Sequence, residues 1–332
     1  MGAAIAMGPD HYVIGIDIGG TTTSLGFVDR HGSLMCETTL ATQAHQTADT
    51  LVSRISETIE RLRSTLPKKA VLSGIGIGAP NANYHRGTVE NPPNLAWGAS
   101  TNLVEMFQHR YNLPVAITND ANAAALGELQ FGGARGMQNV IVITLGTGLG
   151  SGIITNGELL YGSDGYAGEL GHTTVDPYGR HCACGKQGCL ETYVSATGLC
   201  RTVFELLGQR CEPSPLREIS FDDLTSKKVS EAACAGDHIA LAAFDTTARI
   251  FGMKLADAVA YTSPEAIFLS GGLAAAGDLL TTPTRHYLEE FLFTPFKGKV
   301  RLLRSELAGG SGAVLGAAAL AWHEVDTAPT LP

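Results

Sequence analysis

The sequence predicts an α/β protein of two domains, and three observations carry that prediction. Its 332 residues exceed what one hydrophobic core usually organises, since most domains hold about 100 to 200 residues. Short apolar segments that read as strands alternate with longer segments of helical period. A strand, a glycine turn and a return strand occur near the start and again near the middle, one device used twice.

The opening segment "YVIGIDIGGTTTSLGFVDRHGSLMCETTL" reads as three strands joined by turns, a β-meander with Ile14, Ile16 and Ile18 alternating onto one face. "TADTLVSRISETIERLRSTL" is a helix: Leu51, Ile55, Ile59, Leu62 and Leu66 form one stripe, and Thr47 or Asp49 can cap it. "AVLSGIGIGAP" and "PVAITND" are strands joined by a loop rich in Pro and Asn, and "DANAAALGELQFGGA" begins a helix directly after the second. "NVIVITLGTGLGSGIITNGELL" repeats the opening logic, with an apolar strand from Val140 to Ile143, a glycine turn, and a return strand ending at the hairpin dipeptide Asn156-Gly157. From Ser195 onward the pattern is mostly helical until "EAIFLSGGLAAAGDLL", a buried strand followed by Gly271-Gly272 and a helix start; a final helix runs from Ser311 to Glu324. No low-complexity linker separates the halves, which places the boundary in a short loop or hinge near Thr118 to Asp120, between domains 1–118 and 119–311.

Composition narrows the partners. Apolar residues make up 44% and charged residues 17%, with 40 glycines in no Gly-X-Y period, as in a globular chain with many tight turns. The net charge of -9 leaves no basic face dense enough for a phosphate backbone, so no nucleic-acid partner is expected. It does not exclude a phosphorylated small molecule, because backbone N–H groups in glycine loops bind phosphate without Lys or Arg. Seven cysteines, an odd number with four of them (Cys36, Cys200, Cys211, Cys234) scattered, suggest a reducing compartment. The start "MGAAIAMGPD" has no secretory pattern and no run approaches the ~20 apolar residues that span a bilayer, so the expectation is a cytoplasmic protein with no membrane partner.

Several motifs carry chemistry. In "DIGGTTT", Gly19, Gly20, Thr21 and Thr22 form a turn between strands whose backbone amides can meet a ligand oxygen, and Asp17 stands at the strand end. A carboxylate beside a phosphate turn makes electrostatic sense once a cation intervenes, which assigns Asp17 to Mg²⁺ through water; a solvated Asp in a plain hairpin is the alternative. "LGTGLGSG" is the matching turn, with Gly146, Thr147 and Gly148; its return segment is a strand, so the Rossmann fingerprint, which needs a helix there, does not apply. Two such turns could hold the β- and γ-phosphates of ATP. In "TNDANAAALGE", Asn119, Asp120 and Asn122 are all able helix caps, while the functional reading makes Asp120 the base that accepts a hydroxyl proton and gives Asn119 an adjacent hydroxyl.

The densest cluster is "GHTTVDPYGRHCACGKQGCLE". Cys182, Cys184 and Cys189 plus one imidazole make a Cys₃His set, which suits tetrahedral, structural Zn²⁺. His172 completes it in preference to its rival His181, because His181 adjoins Cys182 and adjacent residues seldom both reach one metal, and the close spacing in Cys-x-Cys disfavours a disulfide. Glu169 and Glu191 flank the cluster, so the metal would fix two carboxylates and an imidazole, groups that suit a polyhydroxylated sugar.

Together these residues resemble the ROK family of repressors, open reading frames and kinases, and especially its bacterial glucokinases. The resemblance spans nearly the whole chain: Asp17 to Thr21, Asn119-Asp120, Leu145 to Gly150, Glu169-x-Gly171-His172, Cys182 to Cys189 with Glu191, and Ser270-Gly271-Gly272. It implies an actin/hexokinase-like (ribonuclease H-like) α/β fold with an inter-domain active-site cleft, the C-terminal helix 312–325 returning to complete the first domain. It implies Asp120 as catalytic base and Asn119, Glu169, His172 and Glu191 as sugar contacts, with Asn94 a further one and Gly271 and Gly272 approaching the adenosine. The family's Gly-Pro-Gly sugar loop corresponds to Gly78-Ala79-Pro80-Asn81, with Asn in the last position. The implied reaction moves the γ-phosphoryl group of Mg²⁺-ATP to a sugar hydroxyl at C6, glucose first and N-acetylglucosamine, N-acetylmannosamine, mannose or fructose as alternatives. The implied assembly is a homodimer. Family repressors add an N-terminal helix-turn-helix, and the short stretch before the first strand is not expected to hold one.

Overall fold

The computed structural model describes residues 11–92, 95–307 and 311–327, and each of its two units is built on its own five-stranded sheet. The first unit draws on the described residues of Met1–Gly136, Leu159–Ala167 and Glu306–Pro332. Its elements open with β1 (His11–Ile18), β2 (Thr22–Val28), β3 (Leu34–Ala41), α1 (Ala48–Arg63) and β4 (Val71–Gly78). A small sheet of β5 (Ala82–Asn83), β6 (Thr88–Glu90) and β7 (Ser100–Asn102) follows, then α2 (Leu103–Tyr111), β8 (Val115–Thr118) and α3 (Asp120–Phe131). The main sheet has the order β3-β2-β1-β4-β8, with β1, β4 and β8 parallel and the meander antiparallel.

Alternation of isoleucine and glycine sorts the two faces of that sheet. Ile14, Ile16, Ile75 and Ile77 are fully buried in one core with Leu51, Ile55 and Ile59 of α1 and with Leu103 and Phe107 of α2. Each such side chain contributes about 1.5 to 3 kcal/mol when removed from water. Leu62 and Leu66, the end of the predicted stripe, are only partly buried against the same core, and Thr47 provides the helix cap by accepting from Thr50 N. On the other face, Gly15 and Gly76 leave room for the final helix α8, which runs over Gly312–Thr327: a side chain at either glycine would overlap a carbonyl of α8, Val314 or Ala317. The helix answers with Ala317, Ala318 and Ala321, all buried. Trp322 anchors its end, fully buried and donating Nε1–H to Asp29 O at 3.0 Å. α3 packs along α8, so residues 120–136 belong with this unit, and the expected boundary near Thr118 to Asp120 lies inside it.

The second unit comprises Met137–Glu158 and Gly168–Ser305. Its sheet has the order β11-β10-β9-β12-β13, formed by β9 (Val140–Leu145), β10 (Leu149–Thr155), β11 (Glu158–Leu159), β12 (Ala266–Ser270) and β13 (Arg301–Arg304). β9 is antiparallel to β10 and parallel to β12, which is parallel to β13, so the strand order and directions of the first sheet recur around the central strand. The helices are α4 (Ala196–Gln209), α5 (Ser226–Cys234), α6 (His238–Thr262) and α7 (Asp278–Phe291). The core gathers Ile141, Ile143 and Leu145 with Phe244, Phe251 and Leu255 of α6. Asn156 and Gly157 both take positive φ, 53° and 81°, as their hairpin position requires.

The small sheet, α2 and β13 escaped the sequence reading. Strands of two to four residues are too short to show a period of two, and α2 buries only Leu103 and Phe107.

Candidate functional site

Parallel strands present ligands at their carboxyl ends. In the first unit β1, β4 and β8 end side by side, with Asp17 opposite Gly78 and Gly78 opposite Thr118. Gly78 borders the carboxyl, and a Cβ there would meet Asp17 Oδ1 at 3.6 Å, an ordinary contact. Beyond β1 the turn closes through Gly19 N–H to Thr22 O at 2.9 Å.

The cap question at α3 resolves in favour of Asn119, whose Oδ1 accepts from Asn122 N–H at 2.7 Å. That leaves Asp120 in the first helical turn, its Oδ1 held by Ala121 N–H at 2.9 Å and its side chain open to solvent. The surrounding protein nonetheless strips enough hydration to push the Asp120 pKa up, against the opposing pull of the backbone N–H groups. Burial also lifts Asp17 to about 6, with the charge of Asp120 adding to the rise. Two carboxyls raised by burial, one of them raised further by the charge of the other, suit a proton acceptor beside a cation site.

In the second unit the turn Gly146-Thr147-Gly148 lies at the end of β9, and Gly146 N–H donates to Gly148 O at 3.0 Å. Gly271, just past β12, has φ +89° and sits against the Leu145 backbone, where a Cβ would fall 2.5 Å from the Leu145 carbonyl oxygen. Gly272 beside it faces open space.

The cysteine-rich segment folds as a compact knuckle. Gly185 and Gly188 take φ of 90° and 70°, and a side chain at Gly188 would run into Asp176 O. His172, Cys182, Cys184 and Cys189 converge so that one ligand atom from each lies within 4.8 Å of the others. Cys184 Sγ and Cys189 Sγ are 3.7 Å apart, and Cys182 Sγ and His172 Nδ1 3.8 Å. A tetrahedral site with metal–sulfur bonds of about 2.3 Å has edges of roughly 3.8 Å, so the donor set and its spacing fit a four-coordinate metal ion. His181 lies outside this group, its Nε2 placed 3.2 Å from Gln187 Nε2. All seven cysteines are free thiols.

Glu191 borders the cluster. Its Oε1 is 2.9 Å from Cys182 Sγ and 3.7 Å from His172 Nδ1, and a Cβ on Gly148 would come within 2.7 Å of its Oε2. Burial first, and then the hydrogen bond to Glu191, push the Cys182 thiol up; a bound cation would displace that proton. A cavity of about 240 Å³ opens here, lined by Thr147, Gly148, Cys182, Glu191, Thr197 and Arg201 among others. Glu169 is exposed and leads into the short 3₁₀ turn Leu170–His172. Asn94 lies outside the described residues. Asn81 has φ +53°, the left-handed backbone that glycine takes most easily and asparagine tolerates, and its Nδ2 donates to Asn91 O.

Sequence reasoning passed over Arg180. Its guanidinium lies 4.4 Å above the Tyr193 ring, donates to Thr192 O and Gly198 O, and pairs with Glu205 at 2.6 Å, tying the knuckle to α4. Its partners are 12 to 25 residues away, beyond any local motif.

The ROK family model matches residues 13–324, and the chain belongs to that family and has its actin/hexokinase-like α/β fold. The glucokinase of Streptomyces coelicolor is 37% identical over 93% of this chain and 96% of its own length. The glucokinase of Halalkalibacterium halodurans is 36% identical over 85% and 86%. A crystal structure of a ROK family glucokinase from Streptomyces griseus in complex with glucose and AMPPNP is 36% identical, with 94% of this chain and 99% of that chain covered and a TM-score of 0.77. No described helix is long and apolar enough to cross a membrane.

Proposed function

We propose that this protein is an ATP-dependent glucokinase that transfers the γ-phosphoryl group of ATP to the C6 hydroxyl of glucose. The observation that carries the reading is Asp120: Asn119 takes the cap, which leaves a solvent-reachable carboxylate of raised proton affinity beside a glycine turn. Likeness to a glucokinase solved with glucose and AMPPNP supports the substrates.

In this reading Asp120 accepts the C6 hydroxyl proton as the oxygen attacks the γ-phosphorus, and the bridging bond to the β-phosphate breaks to give ADP. Asn119 offers its amide N–H to a neighbouring hydroxyl, its oxygen being spent on the cap. The turn at Gly19 to Thr22 and the turn at Gly146 to Gly148, each closed by its first N–H, offer their other N–H groups to the phosphates. Mg²⁺, held through water by Asp17, would neutralise phosphate charge there. Glu169 and Glu191 accept from sugar hydroxyls, His172 donates its Nε2–H to one while Nδ1 faces the metal site, Asn94 adds a further contact, and Gly271 and Gly272 admit the adenosine. A Zn²⁺ ion on His172, Cys182, Cys184 and Cys189 would fix those sugar contacts and take no part in the chemistry. The reading places a homodimer in the cytoplasm, where thiols stay reduced.

The test is ADP release with Mg²⁺-ATP and each of glucose, mannose, fructose, N-acetylglucosamine and N-acetylmannosamine. Glucose-dependent turnover that Asp120→Asn abolishes is the expected result. Turnover with an acetylated sugar alone would move the substrate and keep the mechanism, and silence across the panel would overturn the reading.

A further inference from the structure

A turn rich in glycine can bind phosphate only when its carbonyl oxygens point elsewhere, because their negative ends repel the ligand that the N–H groups attract. Glycine does not enforce that orientation, so something else must. In the first unit, Thr42 does so twice: its backbone N–H donates to Thr21 O at 2.8 Å and its hydroxyl to Gly19 O at 2.7 Å. Thr23 Oγ1 lies 2.9 Å from the same hydroxyl and completes the brace. In the second unit, Ala196 N–H donates to Gly146 O at 2.9 Å and the Thr197 hydroxyl to Thr147 O at 2.7 Å.

Each turn therefore has two carbonyls tied back by one backbone N–H and one threonine hydroxyl. The hairpin alone does not dictate this, because Thr42 follows β3 whereas Thr197 sits in the first turn of α4. Two unrelated elements reach the same arrangement at the two places where phosphate is read to bind.

We propose that Thr42 and Thr197 are positioning residues for the nucleotide, each holding one glycine turn so that the N–H groups not spent on closing it face phosphate. The proposal rests on the kinase reading above. Thr42 is 1% exposed and acts through the turn. Thr197 is exposed, so a direct contact with the nucleotide must be separated from its effect on the turn.

The experiment compares wild type with Thr42→Val, Thr197→Val and the corresponding Ser variants. Amide exchange at Gly19 and Gly146, whose N–H groups close the two turns, is followed by NMR without nucleotide, and AMPPNP and glucose affinities are measured by calorimetry. Loss of one neutral hydrogen bond predicts roughly tenfold faster exchange at the adjacent turn and about tenfold weaker AMPPNP binding, with glucose affinity kept and both effects reversed by Ser. Unchanged exchange in Thr197→Val, even with weaker AMPPNP, would make it a direct contact and overturn the proposal there; unchanged exchange in Thr42→Val would overturn the other half. Should buried Thr42→Val fail to fold, Thr42→Ala at lower temperature and the surface variant still decide. A wild type that binds no AMPPNP removes the kinase reading, and the proposal with it, a result distinct from normal binding that the valines leave untouched.

Discussion

The two sheets share a strand order, and the position two residues before the first turn glycine shows how they diverge. In the first unit it is Asp17, with Asp120 close enough to raise its pKa; in the second it is Thr144, which has no charge. Both turns are braced alike, yet the first has two carboxyls beside it, the charge of Asp120 raising the pKa of Asp17. The second carries instead a His/Cys cluster that could hold a metal ion, with Glu191 wedged between that cluster and Gly148. The common fold repeats a means of offering N–H groups, and the chemistry is distributed unequally on top of it.

The largest expected effect tests whether the second unit depends on a metal held by its His/Cys cluster. Cys184→Ser should abolish stoichiometric metal, read by elemental analysis, and lower thermal stability; structural zinc contributes on the order of 10 kcal/mol in small zinc peptides. Both tryptophans, Trp97 and Trp322, belong to the first unit, so their fluorescence follows that unit alone. The variant should show a calorimetric transition ahead of the tryptophan signal. Coincident transitions would mean that the units do not melt separately.

Next is the asymmetry in the chemistry itself. Asp120→Asn keeps the helix cap at Asn119 and should lower kcat by at least ~10²-fold, the usual scale for a general base, with glucose affinity retained by calorimetry. Turnover within a few fold of wild type would remove Asp120 from the role.

A finer contrast lies between two adjacent glycines of the second unit. Gly271→Ala forces a left-handed backbone on alanine and drives its Cβ into the Leu145 carbonyl, at a cost of about 2 to 4 kcal/mol. Gly272→Ala meets open space with φ -63° and should raise stability by about 0.4 to 1 kcal/mol in denaturant unfolding. Equal costs would show that the close approach to Leu145 is not what selects glycine.

What the sequence disclosed divides along the same line. Local patterns were readable: both hairpins, the α1 stripe, and the three cysteines with His172, because period and spacing are properties of neighbours along the chain. The choice of Asn119 over Asp120 as cap was open, since both residue types cap well and the outcome depends on which oxygen the helix geometry aims at Asn122 N–H. Thr42, Thr197 and Arg180 left no signal, because each acts on residues brought near only by the fold. The glycines of β1 and β4 were visible as a count, whereas their reason, room for α8 on the sheet, required the helix in place.

The smallest effect concerns the charge that Thr144 of the second unit lacks. Asp17 has its pKa raised from the ordinary 3.8 to about 6, so between those values the folded protein binds more protons than the unfolded chain. Stability from this group is therefore lost as pH rises from about 4 to about 6, and above that the ionised carboxylate weighs against the fold. Asp17→Asn should remove that penalty and raise stability at pH 7 by on the order of 2 kcal/mol, while leaving stability near pH 4 almost unchanged. The same substitution should weaken the response of AMPPNP binding to Mg²⁺, because the cation would no longer meet the charge that burial made costly. A variant equally stable to wild type at both pH values would mean that hydration still reaches Asp17, and the first turn would then resemble the second in electrostatics as well as in shape.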